Sequence, residues 1–160
     1  MSTHSTNARR NDALIRALTL PMLRGGEDLA LLVLRVVTGA FLVHGVIDNI
    51  TSVQRMEEFA GFLRQNRFPA PELMAPLSVW CQFFIGIAFI AGACTRWAGL
   101  LCVVNFVVAC IGVHWSQDFR GWWPALVLVL QGALLATRGA GAYSVDEWCG
   151  GRPGGPGEHR

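Results

Sequence analysis

The chain has 160 residues and a formal net charge of +2, with 52% of its residues hydrophobic and 15% charged, and its mean hydropathy is +0.40. This is more apolar than an ordinary soluble domain, so a membrane protein is the leading class. A charge this small gives no basis for binding nucleic acid.

Residues 1–28 do not read as a cleaved signal peptide, because Arg16 and Pro21 break the apolar run "ALIRALTLPML" before it becomes an h-region. With Arg9, Arg10 and Arg16 beside Leu14, Ile15 and Leu18, this leader reads either as a basic amphipathic helix on an anionic leaflet or as disordered chain. The first span is expected over 29–50, although Arg35, His44 and Asp48 interrupt it. Next, "TSVQRMEEFAGFLRQN" carries Val53, Met56, Phe59, Ala60 and Leu63 at helical spacing. Thr51 and Gln54 fit a capping box there, so a short interfacial helix against the outside of the bundle is predicted, ended by "RFPAPE". Further spans are predicted over 73–95, 97–115 and 122–138, where charge is absent between Glu72 and Arg96 and between Arg120 and Arg138. Each approaches the roughly 20 residues a helix needs to cross a hydrocarbon core of about 30 Å. The last 12 residues, 149–160, are too rich in glycine and proline to fold.

The fold class is therefore all-α: an integral membrane four-helix bundle over 29–148, with a short interfacial helix between its first and second spans. Arginines number eight on the side of the termini and four on the other, so both termini are expected in the cytoplasm. The five cysteines, Cys81, Cys94, Cys102, Cys110 and Cys149, form no CxxC pair and no zinc spacing, and read as small buried hydrophobes.

Polar residues inside the spans are the site candidates. Gln82, Asn105 and Gln131 sit near the middle of the second, third and fourth spans and suggest one interior layer, serving as packing glue or as part of a ligand pocket. On the first span, nine residues at about 100° each put Arg35 and His44 on opposite sides. His44 and Asp48 share a face at i and i+4 and would line an outward-opening cavity suited to proton transfer, with His114 joining if its helix is a neighbour. Arg35 either binds an anionic or carbonyl group or snorkels to the headgroups. His44 and His114 differ by about 5 Å in depth, a poor fit for haem. A quinone needs only hydrogen-bond donors and apolar walls, which the amides with Trp80, Phe83, Phe84 and Trp115 would supply.

"LRVVTGAFLVHGV", "FPAPE", "QFFIGIAFIAGACTRWAGLL" and "GAGAYSVDEW", in this order, resemble the DoxX family of small four-span membrane proteins over about Leu34 to Trp148. The resemblance rests on Arg35, Gly39, His44 and Gly45, on Gly86, Gly92, Thr95 and Arg96, and on Gly141, Tyr143, Ser144 and Asp146. It implies a protein of the bacterial or archaeal cytoplasmic membrane, often described as an oxidoreductase or quinone-linked subunit and sometimes associated with sulfur or thiol metabolism. Members commonly carry a basic residue where this chain has Asp48 and an acid where it has Gln82. Arg35 and His44 carry over as site candidates, and Asp48 and Gln82 are altered positions.

Three functions follow as expectations. The first is a redox subunit exchanging electrons or protons with quinone alongside a soluble or membrane partner, because the chain has no nucleotide-binding glycine motif and no metal cluster. The second is a noncatalytic anchor or assembly subunit, for which Gly86, Gly92, Gly132 and Ala136 permit close packing with a partner or a second copy. The third, a solute carrier, has little support because so few internal charges line a path.

Overall fold

The computed structural model describes residues 25–114 and 118–150, the side chain of His114 excepted. The leader before Gly25, Trp115, the His114 side chain and the tail beyond Gly150 lie outside it. Among the described residues six α-helices run in chain order: α1, Glu27–Thr51; α2, Val53–Gln65; α3, Pro71–Ala91; α4, Thr95–Ala109; α5, Phe119–Arg138; and α6, Val145–Gly150. Four segments of the described residues are long and apolar enough to cross a membrane, Glu27–Thr51, Pro71–Ala91, Thr95–Val113 and Phe119–Arg138. No strand occurs among the described residues. The expected fold class, a four-span helical membrane bundle, is what the chain adopts.

The buried face of α1 is Arg35, Thr38, Gly39, Leu42 and Val46, a stripe at helical period. Glycine selects that face. A Cβ on Gly39 would lie 2.5 Å from the Gly86 carbonyl of α3, and one on Gly86 would lie 2.8 Å from the Gly39 carbonyl, so the two backbones touch where neither residue has a side chain. A second crossing repeats the device, with Gly99 of α4 against Gly132 and Ala136 of α5. The bundle is thus two tightly packed pairs, α1 with α3 and α4 with α5, joined along a looser α3–α4 seam. Leu42, Ile85, Phe89, Cys102, Leu128 and Leu135 fill the space between the pairs. The outward faces stay apolar, with Val37, Phe84, Trp97 and Val104 all more than 60% exposed, as lipid-facing surfaces should be.

Amphipathic α2 lies on the outside, as its periodicity predicts, burying Ala60 and Leu63 against Ala75 and Val113. Its cap is one residue later than expected. Ser52, not Thr51, leaves the helical conformation, and its side chain accepts from the Arg55 amide. Thr51 remains in α1, its hydroxyl donating to the Ile47 carbonyl at 2.9 Å, and the Gln54 amide turns to Glu58. Two boundaries also move. Glu27 and Asp28 open α1 instead of ending a leader, and Cys149 and Gly150 complete α6 instead of starting a tail. At the far end of the third span the helix widens into a π-helical turn, Cys110–His114, and the Phe68 ring lies over Gly112 where a Cβ would collide with it.

Candidate functional site

The chain reverses between α3 and α4 in three residues, and both helix ends at this turn depend on distant side chains. Gly92 (φ +67°) and Cys94 (φ +50°) adopt left-handed conformations, and α3 has no basic residue in its last turn. Arg35, entirely buried on α1, fills that role. It donates through Nη1 to the Phe89 carbonyl at 3.3 Å and through Nη2 to the Tyr143 carbonyl. A cation at the end of α3 complements the negative pole of that helix. At the start of α4, Cys94 provides no side-chain cap, and Asp146 of α6 takes over, with Oδ1 accepting from the Cys94 amide at 2.6 Å and Oδ2 from the Thr95 amide at 2.8 Å. The Asp146 amide returns a bond to the Gly92 carbonyl at 2.9 Å.

The latch spreads to neighbouring ends. Asp28 Oδ1 accepts from the Ala142 amide at 2.9 Å, Arg96 donates to the Thr137 carbonyl at 2.8 Å, and Arg138 pairs with Glu27. An open cavity of about 740 Å³ with a mixed lining lies here, walled by Leu31, Thr95, Arg96, Trp97, Ser144 and Asp146 among others. Two buried polar atoms in this region, Arg35 Nε and Thr95 Oγ1, have no hydrogen-bond partner among the described residues. Arg35 therefore binds carbonyl groups, as one of its two expected roles required, but they belong to the protein itself. Asp146→Ala is expected to lower stability by about 1–2 kcal/mol through the lost cap, with Asp146→Asn retaining part of it, as measured by thermal unfolding in detergent.

A second cavity, about 460 Å³, is a slot between α2, α3 and α4. Phe59, Phe62 and Phe68 supply its aromatic wall, and Leu101, Val104 and Val108 much of its aliphatic one. Its polar side chains are Ser78, Gln82 and Asn105. The Gln82 side-chain amide donates to Ser78 Oγ at 3.0 Å, and Ser78 Oγ donates to Asn105 Oδ1 at 3.0 Å. This directed chain leaves the Asn105 amide N–H groups and the Gln82 carbonyl for a guest in the slot.

The expected layer of three amides is divided. Gln82 and Asn105 meet through Ser78, whereas Gln131 accepts instead from Thr38 Oγ1 at 3.1 Å, linking α5 to α1. Depth alone did not reveal Ser78 and Thr38, but each lies one helical turn from a residue already singled out, Ser78 from Gln82 and Thr38 from Arg35. Trp80, Phe83 and Phe84 form a mutually packed aromatic group on α3 that does not line the slot; Trp80 and Phe84 are exposed. His44 and Asp48 need a correction as well. They share a face as predicted, but it is the exposed face, and neither lines a described cavity or hydrogen-bonds through its side chain to a described residue. Burial of the Gly39 stripe turns that face outward. Among the cysteines, Cys102 is buried, Cys81 and Cys110 are partly buried, and Cys94 and Cys149 are exposed, contrary to uniform burial. No cluster of metal-ligating side chains occurs among the described residues.

The family model DoxX matches residues 30–115. No curated protein and no solved structure matches the chain.

Proposed function

The chain belongs to the DoxX family, and on that premise we propose that it is the membrane subunit of an oxidoreductase assembly that binds quinone in the slot between α2, α3 and α4. The supporting observation is the slot itself, apolar along its walls yet carrying the Gln82, Ser78 and Asn105 chain. A bound quinone supplies reversible two-electron, two-proton chemistry. The residues supply recognition. Asn105 donates to a ring carbonyl, Ser78 and Gln82 hold that amide in place, and the phenylalanines of α2 cover the ring and exclude water. With no nucleotide-binding motif in the chain, the electrons come from or go to a partner protein carrying its own cofactor. The arginine distribution supports an orientation with both termini cytoplasmic, and in that orientation the Arg35 latch faces the cytoplasm, where a soluble partner would dock.

The test is titration of a short-chain ubiquinone into purified protein in nanodiscs, followed by tryptophan fluorescence. Asn105→Leu is expected to weaken binding about tenfold, the value of one well-placed hydrogen bond, with helix content unchanged. Equal affinity in the variant and the parent would remove quinone from the slot. A noncatalytic anchor is the second reading, favoured because Arg35, Gln82, Asn105 and Gln131 all engage groups of the protein itself. It predicts that a soluble partner is retained as tightly by Asn105→Leu, in which quinone binding is weakened, as by the parent.

A further inference from the structure

His44 and Asp48 are the exceptions to the way this bundle treats polarity. Arg35, Thr38, Ser78, Gln82, Asn105 and Gln131 are all turned toward partners inside the protein, whereas His44 and Asp48 are exposed and their side chains bond to no described residue. His44 lies seven residues inside the end of α1 at Thr51, about 10 Å along the axis, deeper than an imidazole reaches from the headgroups. An imidazole on an open face at that depth, with a carboxylate one turn nearer the helix end, calls for a partner other than the described residues.

The surrounding face has the form of a helix-packing surface. Val37 and Phe41 project from it, 63% and 59% exposed. Gly45, one turn beyond Phe41, has nothing within 4 Å of where a Cβ would stand, so it is a notch open to the outside. The face also carries its own complement, because one residue donates and the other, one turn away, accepts. In a parallel pair related by a twofold axis normal to the membrane, each helix presents the same residues at the same depth.

We propose that this outer face of α1 docks a second copy of the chain, Phe41 packing beside Gly45 and His44 of each copy donating to Asp48 of the other. Small residues at such contacts let helices approach closely, and polar side chains then bond across them. The pairing occurs twice per dimer and uses residues that the single chain leaves exposed.

Energy transfer between donor- and acceptor-labelled full-length copies in liposomes, over a series of protein-to-lipid ratios, tests this. The parent is expected to associate. His44→Ala alone and Asp48→Ala alone should each associate at least about tenfold more weakly, since two interhelical bonds are lost. A mixture of the two variants should regain part of the signal, because His44 of one copy meets Asp48 of the other once per mixed dimer. A pair formed within one chain predicts no such recovery. Gly45→Leu gives an independent arm. The Cβ added there meets nothing of its own chain within 4 Å, so melting of the single chain should not fall while association is lost. A parent that stays monomeric at every dilution, a mixture no better than either variant alone, or Gly45→Leu associating normally overturns the proposal.

Discussion

Arg35→Ala is expected to destabilise the bundle by about 3–5 kcal/mol, the combined order of lost charge-assisted hydrogen bonds and of the cavity left by a large buried side chain, and to be read as a lowered melting temperature in detergent. The loss has three parts. The Phe89 and Tyr143 carbonyls each lose a donor, α3 loses the cation at its negative pole, and a cavity replaces one of the largest fully buried side chains. Arg35→Lys should recover only a fraction, because one ammonium group lacks the fork that reaches two carbonyls. Gly92→Ala attacks the same latch from the other side. A Cβ there would overlap the Arg35 guanidinium, and the φ of +67° is itself strained for any residue with a side chain. The strain remains when Arg35 is removed, but the overlap disappears. The double variant should therefore be more stable than the sum of the single effects by about 1–2 kcal/mol, a coupling that a double-mutant cycle measures directly. Strict additivity would show that the two residues do not share one contact.

Gly39→Leu is the second variant expected to have a severe effect, a loss of about 3 kcal/mol or more, seen as the disappearance of monodisperse protein after extraction. Even alanine brings its Cβ to 2.5 Å from the Gly86 carbonyl. Backbone cannot rotate aside as a side chain can, so relief requires α1 and α3 to separate along the crossing. Gly99→Leu should act in the same way at the other crossing, where the Ala136 amide nitrogen lies 2.6 Å from the added atom. Gly61→Ala is the control. Nothing lies within 4 Å of that position, and alanine favours the helix by roughly 1 kcal/mol, so melting should rise or stay constant.

Span number and order were legible because twenty apolar residues in lipid have few options other than helix. Helical period also separated Arg35 from His44 correctly. What period could not provide was which side faced inward. Polar character argued for His44, but the interior was chosen by Gly39, which lies in phase with Arg35 and Thr38 and permits contact with Gly86. The small residue was the better guide, since close backbone approach has no substitute whereas a polar side chain has several kinds of partner. Gln131 was misassigned for a related reason: depth fixes height along a helix but not the neighbour it meets. The clamp at the α3–α4 turn was unreadable in detail, because Phe89, Tyr143 and Asp146 reach it from distant parts of the chain. Its members were nevertheless prominent in the DoxX resemblance, where Arg35, Gly92, Thr95, Tyr143 and Asp146 stood as separate short motifs before the fold joined them.

The bond from Arg35 to Tyr143 spans 108 positions, and a ribosome delivers the guanidinium long before its acceptor. During synthesis the first span must enter the bilayer with its charge uncompensated, and the bundle closes only when the final short helix emerges. A stop codon after Arg138 would release a chain with every span present, the Arg35 bond to Phe89 retained, and the Tyr143 and Asp146 contacts gone.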